Sequence, residues 1–273
     1  MHPSVSRPAW VTAISGNGVN RKSPVEIFAT AASVVTRSPY AEVSGLRAGK
    51  FGRWTDGVTA MREDCVAFAA YWRAHNERVL LQREHQPERD PLWVVLGDST
   101  AQGLGAPAPQ GGYVGQAVQQ LRRKTGKHWR VLNLSVSGAL IRDVIAEQLP
   151  QLPHQPDLVT CGVGANDILY SPPAKLFADM RSLLAALPEQ AVVLDLPLPA
   201  GFWWLVGRMS VPYITRINRV IYEVALEREL PVAEVSAHFT PPWPGKFSCD
   251  SFHPSQDGYR DWTRAVLAAI PAA

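Results

Sequence analysis

The sequence predicts an α/β fold in which helices cover both faces of a parallel sheet, preceded by a helical extension. Two observations support this prediction. From Pro91 onward, short apolar runs alternate with helical patterns, and before that point a long amphipathic pattern stands alone. The chain has 273 residues, of which 46% are hydrophobic and 19% charged, as in a globular protein with one sizeable core.

The first 88 residues are predicted to form an N-terminal arm and helical extension, and residues 89–273 to form the α/β domain. In the arm, Ser23 at the N-cap, Pro24 at the first helical position and Glu26 in a capping box predict a short helix that ends near residue 36.

The second predicted helix covers about residues 56–83. It carries one apolar stripe at steps of three, four and seven residues, made of Met61, Cys65, Phe68, Trp72 and Val79. Three interpretations stand for this stripe: packing on the α/β domain, dimerisation, or contact with lipid. Packing on the domain is the simplest of them, because it buries the stripe within the same chain.

Composition and charge exclude several classes of protein. The net charge is +3, and residues 1–53 hold seven Lys/Arg against two Asp/Glu; this excess is too small for a nucleic-acid interface but is compatible with peripheral membrane contact. No apolar segment follows a basic start, so no secretory signal is recognised and a cytoplasmic location is expected. The cysteines, Cys65, Cys161 and Cys249, lack the spacing of a zinc site or a disulfide framework, so no metal is expected.

The α/β domain is predicted to contain five strands, at 92–96, 130–134, 158–163, 191–196 and 231–235. Helices are predicted at 113–124, 143–149, 174–187, 213–229 and 255–269. In sheets of this kind ligands bind at the carboxyl ends of the strands, so we expect the chemically active residues directly after the strands.

Polar blocks follow three of these strands, and a fourth block precedes the last helix. The four are Gly97-Asp98-Ser99-Thr100, Asn133-Leu134-Ser135-Val136-Ser137-Gly138, Gly162-Val163-Gly164-Ala165-Asn166-Asp167 and Asp250-Ser251-Phe252-His253-Pro254. In order and spacing they resemble the blocks of the SGNH hydrolases, the GDSL-like esterases and lipases, from about Leu92 to the C-terminus. One position departs from that pattern, because Thr100 stands where the family usually has leucine.

The resemblance implies a flavodoxin-like three-layer α/β/α fold with a five-stranded parallel sheet. It also implies a carboxylic ester hydrolase that needs no cofactor. The α/β-hydrolase fold, a different solution to serine esterase chemistry, needs Gly-x-Ser-x-Gly, which the surroundings of Ser99 do not supply.

The expected chemistry is attack of a serine hydroxyl on an ester carbonyl. Ser99 is the candidate nucleophile and His253 the base, since histidine is the side chain best suited to carry a proton near neutral pH. Asp250, three residues before His253, is the candidate that orients the imidazole. For the developing oxyanion, the resemblance assigns the backbone N–H of Ser99, the backbone N–H of Gly138 and the side-chain amide of Asn166.

Several of these residues have a simpler interpretation, or a competitor. His238 is a second histidine nearby in sequence, but only His253 has an aspartate at the right offset. Asn166 is also a residue type that caps helices. Asp167 and Asp257 suit structural positions, and Cys161 lies within an apolar strand, where a buried structural thiol is expected.

The loop after the fourth strand carries Phe202, Trp203 and Trp204, which are predicted to contact substrate; simple covering of the sheet end is the alternative. Two alternatives to hydrolysis also stand. An acyltransferase would use the same acyl-enzyme with a second alcohol in place of water, and a non-catalytic lipid- or glycan-binding module would use the pocket alone.

Overall fold

A computed structural model describes residues 50–85, 90–198 and 204–271 of the chain. The short helix predicted near residues 23–36 lies outside the described residues. None of the described helices combines the length and the apolar character needed to cross a membrane.

Five parallel strands form one sheet in the described part of the chain, which confirms the predicted fold class. They are β1 (Leu92–Gly97), β2 (Arg130–Asn133), β3 (Leu158–Gly162), β4 (Ala191–Leu194) and β5 (Val232–Ala233). Their order across the sheet is β2-β1-β3-β4-β5, so the chain leaves β1 in one direction, returns, and then continues in the other. The reversal places the carboxyl end of β1 at the crevice where ligands bind in such sheets.

Nine α-helices accompany the strands in the described ranges. They are α1 (Lys50–His85), α2 (Ser99–Gln102), α3 (Tyr113–Thr125), α4 (Ile141–Asp143), α5 (Asp167–Tyr170), α6 (Pro173–Ala186), α7 (Trp204–Glu227), α8 (Val235–His238) and α9 (Gln256–Ala269).

Alternate residues of β1 enter two separate cores. Val94 and Leu96 pack with α6 and α7 on one face, and Trp93 and Val95 pack with α3 and α9 on the other. A strand covered on both faces is expected to be apolar throughout, and all six residues of β1 are buried.

The long helix α1 packs against the α/β domain within the same chain. Phe68, Trp72 and Val79 are buried, whereas Met61 and Cys65 at the start of the stripe are only half-buried. Intramolecular packing is therefore the interpretation that the structure confirms for most of the stripe. The helix begins at Lys50, about six residues earlier than predicted.

Side chains of α1 bind the open edge of the sheet, which is strand β2. The N–H groups of residues 130 and 134 point inward to β1, so residues 131 and 133 turn their backbone groups outward. His75 contacts the Val131 carbonyl at 3.1 Å. The Asn76 side chain donates to the Asn133 carbonyl at 2.6 Å and accepts from the Asn133 N–H at 2.9 Å.

Besides the start of α1, three predicted elements differ clearly from the structure. The predicted helix over 143–149 is divided into α4, a π-helical segment Val144–Gln148 and a 3₁₀ turn Leu149–Gln151. Helix α7 begins at Trp204 rather than near residue 213, because it tolerates Pro212, a residue type that usually ends helices. Strand β5 lies at the edge of the sheet and pairs with β4 over two residues instead of five.

Candidate active site

Ser99 lies where β1 passes into a short helix. It is the first residue of α2 and is 6% exposed. Asp98 caps this helix, because its carboxylate accepts hydrogen bonds from the Thr100 N–H at 3.0 Å and from the Thr100 hydroxyl at 2.8 Å. Thr100, the departure from the family pattern, thus supplies a second donor to a buried carboxylate.

Gly97 allows the ends of β1 and β3 to approach each other. Its φ is +150°, and a Cβ atom there would lie 2.4 Å from the carbonyl oxygen of Gly162. A larger residue would force the two strands apart directly beside Ser99.

One chain of hydrogen bonds joins Ser99, His253 and Asp250. The Ser99 hydroxyl is 2.9 Å from Nε2 of His253, and Nδ1 of His253 is 2.6 Å from the carboxylate of Asp250. All three side chains are buried. Because an ionised carboxylate only accepts, Nδ1 carries the imidazole proton and Nε2 is left free to accept the serine proton.

The loop before α9 holds the Asp250 carboxylate in place. One of its oxygens accepts from the Ser248 hydroxyl at 2.5 Å and from the N–H groups of Phe252 and His253 at 2.9 and 3.0 Å. Burial raises the pKa of Asp250, but the neighbouring His253 and these donors outweigh burial and lower that pKa to about 2. Asp250 is therefore ionised at neutral pH.

Gly138 and Asn166 both adjoin Ala139, Gly138 as its neighbour in the chain and Asn166 through a hydrogen bond. Gly138 adopts a left-handed conformation with φ +81°, and a Cβ added to it would meet no described atom within 4 Å. The Asn166 side chain donates to the Ala139 carbonyl at 3.1 Å. Asn166 occupies the N-cap position of α5, but its side chain makes no capping hydrogen bond with the described residues.

The amide of Gln102 and the side chain of Asn133 connect α2 to the loop that carries Gly138. Gln102 bonds to Ser135 and Ser137, and Asn133 bonds to Ala101 and Ser135. Sequence reasoning missed Gln102, and it placed Asn133 in the second polar block without assigning it a role. No local pattern marks Gln102, because its partners lie more than thirty positions away in sequence.

The simpler interpretations hold for the remaining candidates. His238 bonds the carbonyl of Glu234, the N-cap residue of its own short helix, and Asp167 accepts from the N–H of Ile141. Burial raises the pKa of the Cys161 thiol to about 12, as expected for a structural cysteine. Asp257 lies in the first turn of α9.

Proline suits the first position of a helix, which predicts that Pro254 begins α9, and this prediction is wrong. Pro254 is not the first helical residue: Ser255 is the N-cap of α9, and its hydroxyl accepts from the N–H groups of Asp257 and Gly258.

Phe202 and Trp203 lie outside the described residues, and of Trp204 only its position at the start of α7 is described. Their predicted contact with substrate stays a prediction. The described residues contain no group of three His, Cys, Asp or Glu side chains placed to hold a metal ion.

The sequence profile of the GDSL-like Lipase/Acylhydrolase family matches residues 95–260, more than half of the chain. The chain belongs to this family. As a GDSL-like hydrolase, the protein is a carboxylic ester hydrolase. The family match begins within β1, so it leaves out all of α1.

The GDSL-like chain shares its fold with several solved structures. TesA is 24% identical with a TM-score of 0.54, and the match covers 65% of this chain and 97% of TesA. Axe2, an acetylxylan esterase from Geobacillus stearothermophilus, is 22% identical with a TM-score of 0.52 over 68% of this chain and 96% of Axe2.

LAE5, an alpha/beta hydrolase from the metagenome of Lake Arreo, is 20% identical with a TM-score of 0.54, over 67% of this chain and 95% of LAE5. At these identities the likeness establishes the fold. No protein with a curated description matches the sequence.

Proposed function

We propose that the protein hydrolyses acyl esters through a covalent acyl-enzyme on Ser99, with His253 as general base and Asp250 as the residue that orients it. The observation that carries the proposal is the unbroken hydrogen-bond chain from the Ser99 hydroxyl through the imidazole to the carboxylate. In a chain that only bound ligands, nothing would require a buried carboxylate, imidazole and hydroxyl in this order.

In the first half-reaction, His253 Nε2 accepts the hydroxyl proton while the Ser99 oxygen attacks the ester carbonyl carbon. The imidazolium that forms is stabilised by the ionised Asp250. The tetrahedral intermediate then collapses: the bond to the alkoxy oxygen breaks, and the departing alcohol takes its proton from His253. The product of this half-reaction is an ester of Ser99.

In the second half-reaction, a water molecule gives a proton to His253 as its oxygen attacks the acyl carbon. Collapse of this intermediate returns the proton to Ser99 and releases the carboxylic acid.

The negative oxygen of both intermediates is proposed to accept from the N–H of Ser99, the N–H of Gly138 and the amide of Asn166. Gly138 is exposed, so a substrate oxygen can reach its backbone, and the Asn166 amide has a second N–H beyond the one that Ala139 accepts. These donors are neutral, so they stabilise the developing charge without holding an anion permanently.

Phe202, Trp203 and Trp204 are proposed to contact the substrate from the loop after β4. Leu198, the last described residue after β4, lies in the wall of a groove of about 580 Å³. The rest of the wall combines the apolar or aromatic residues Ile214, Tyr222, Phe239, Pro241 and Trp243 with the polar residues Thr215, Asn218, Arg219, Ser236 and Thr240. The apolar part of this lining suits an acyl chain or an apolar alcohol.

Hydrolysis of p-nitrophenyl acetate, butyrate and a long-chain ester by the wild type and Ser99→Ala tests the proposal. We expect Ser99→Ala to lower kcat by about a thousandfold or more. A fluorophosphonate should label the wild type covalently and leave Ser99→Ala unlabelled. Retained turnover or retained labelling in Ser99→Ala would refute the proposed nucleophile. Product ester formed at the expense of free acid, when an acceptor alcohol is added, would identify acyl transfer.

A further inference from the structure

Gln102, the last residue of α2, is a polar side chain in an interior position. It is 3% exposed, and a buried amide is tolerated only when its donor and acceptor both find partners. Both of its partners lie in the loop that ends at Gly138. The Nε2 atom donates to the Ser135 carbonyl at 2.8 Å, and the Oε1 atom accepts from the Ser137 hydroxyl at 2.6 Å.

These two bonds fix the orientation of the amide and the position of the loop. A carbonyl accepts only, so Ser135 determines which end of the Gln102 amide carries the nitrogen. The second bond then holds the residue immediately before Gly138. Since α2 also carries Ser99 at its first position, one short helix holds both the hydroxyl and the loop.

Helix α1 supports this arrangement from outside the region that the family profile matches. The indole N–H of Trp72 donates to the Gln102 carbonyl at 2.9 Å. A buried link therefore runs from the extension through α2 to the loop.

We propose that Gln102 is a positioning residue that sets the Gly138 N–H relative to Ser99, and that Trp72 of the extension holds Gln102 for this task. The inference rests on the proposed function, in which that N–H stabilises the oxyanion. Oxyanion donors stabilise the transition state only when they lie within about half an ångström of the productive position. A loop released from Gln102 should therefore lose transition-state stabilisation, while substrate binding is retained.

The decisive variant is Gln102→Leu, which keeps similar bulk and removes both bonds. We expect kcat to fall about ten- to hundredfold, with KM for p-nitrophenyl acetate within about threefold of the wild type. A trifluoromethyl ketone, which forms a tetrahedral oxyanion adduct with a serine, should bind more weakly in proportion to the loss of kcat/KM. The pH profile of kcat/KM should keep its shape, because Gln102 does not contact His253 or Asp250.

Ser137→Ala removes one of the two bonds at a half-buried position, so it tests the inference even if Gln102→Leu fails to fold. We expect about a threefold to tenfold loss of kcat. Because Ser137 acts through Gln102, the double variant should be no slower than Gln102→Leu alone. Losses that multiply in the double variant would contradict the proposed linkage.

Gln116→Leu is the matched control, since the Gln116 amide also makes two hydrogen bonds, in which it donates to the carbonyls of Gly111 and Gln256. Its kcat should stay within about twofold of the wild type. Trp72→Phe keeps the aromatic ring, removes the N–H, and should lower kcat by a smaller factor than Gln102→Leu.

Two outcomes would overturn the inference: Gln102→Leu with an unchanged kcat, or Gln102→Leu with a raised KM and unchanged ketone affinity. Either result could occur while Ser99→Ala is inactive and unlabelled, and the proposed function would then stand. An active Ser99→Ala would instead refute the proposed function itself.

Discussion

The candidate site has a base side, formed by His253 and Asp250, and a donor side, formed by the groups proposed to bind the oxyanion. The hydrogen bonds that hold these two sides differ greatly in the sequence separation of the residues they join. On the base side, the Asp250 carboxylate is fixed by donors two and three residues away, all within residues 248–253. On the donor side, the bonds made by Gln102 and Asn166 span 27 to 35 residues. The base side is built by one loop, whereas the donor side depends on several parts of the fold meeting correctly.

This difference predicts how catalysis and stability respond to substitutions on each side. Substitutions in the 248–253 loop should change the chemistry while the fold stays intact, because the bonds that are lost are local. Substitutions on the donor side should affect catalysis in steps, according to how many of the long-range bonds remain.

The largest effect is expected for Asp250→Asn, which keeps the shape of the side chain and removes its charge. An amide can donate to His253 and stabilise the wrong tautomer, so kcat should fall by about 10⁴-fold with the fold preserved. Steady-state kinetics and circular dichroism measure the two quantities. Ser248→Ala removes only one of the donors to Asp250 and should cost less than about tenfold; equal losses in the two variants would contradict the assigned role.

Asn166→Ala tests the donor side directly. Loss of one oxyanion donor should lower kcat by about a hundred- to thousandfold with little change in KM. A variant with a raised KM and an unchanged kcat would instead place Asn166 in ground-state binding, and the comparison between the two sides would lose its chemical basis.

Gly138→Ala has a matched control in Gly126→Ala. Both glycines have positive φ, +81° and +67°, and an added Cβ meets no described atom within 4 Å at either position. Each substitution should therefore cost about 1–2 kcal/mol in the free energy of unfolding from the backbone conformation alone. Only Gly138→Ala should also lower kcat, by about tenfold or more; urea unfolding and kinetics on both variants separate the two effects.

The smallest expected effect is the dependence of the free energy of unfolding on pH. Burial, with a contribution from Arg78, lowers the pKa of His75 from its ordinary 6.5 to about 4, so the folded protein keeps this ring neutral while the unfolded chain takes up a proton. The contribution of His75 to the free energy of unfolding is then present above pH 6.5 and is lost as the pH falls from 6.5 through 4.

The base side titrates in a different window. The lowered pKa of Asp250 contributes stability above its ordinary value of 3.8, and this is lost as the pH falls through about 2. Urea unfolding between pH 7 and 4 should show a loss of about 1–3 kcal/mol in the wild type that is reduced in His75→Gln. An equal loss in His75→Gln would remove His75 as its source.

The sequence predicts most of the sheet because β1 and β4 are apolar runs and β2 and β3 each contain a pair of adjacent aliphatic residues. The contact between Asp250 and His253 is also predictable from the sequence, because the two residues are three positions apart in one loop. The start of α7 is predicted too late in the chain because Pro212 is taken as a helix breaker. A proline inside a helix is tolerated only when the surrounding fold stabilises it.

Gln102 and Trp72 show what the sequence cannot reveal. Their bonds join segments that become neighbours only after the sheet has formed and α1 has docked. The assigned roles of the site residues remain predictions for the variants above to test.

The reciprocal amide contact between Asn76 and Asn133 has a consequence for how the protein behaves at high concentration. The Asn76 side chain supplies the donor and the acceptor that a neighbouring strand would supply to β2. It therefore blocks the edge of the sheet at which a strand from a second molecule could pair. A truncated variant that begins at β1 lacks α1 and exposes the β2 edge, and we expect it to self-associate into β-rich aggregates.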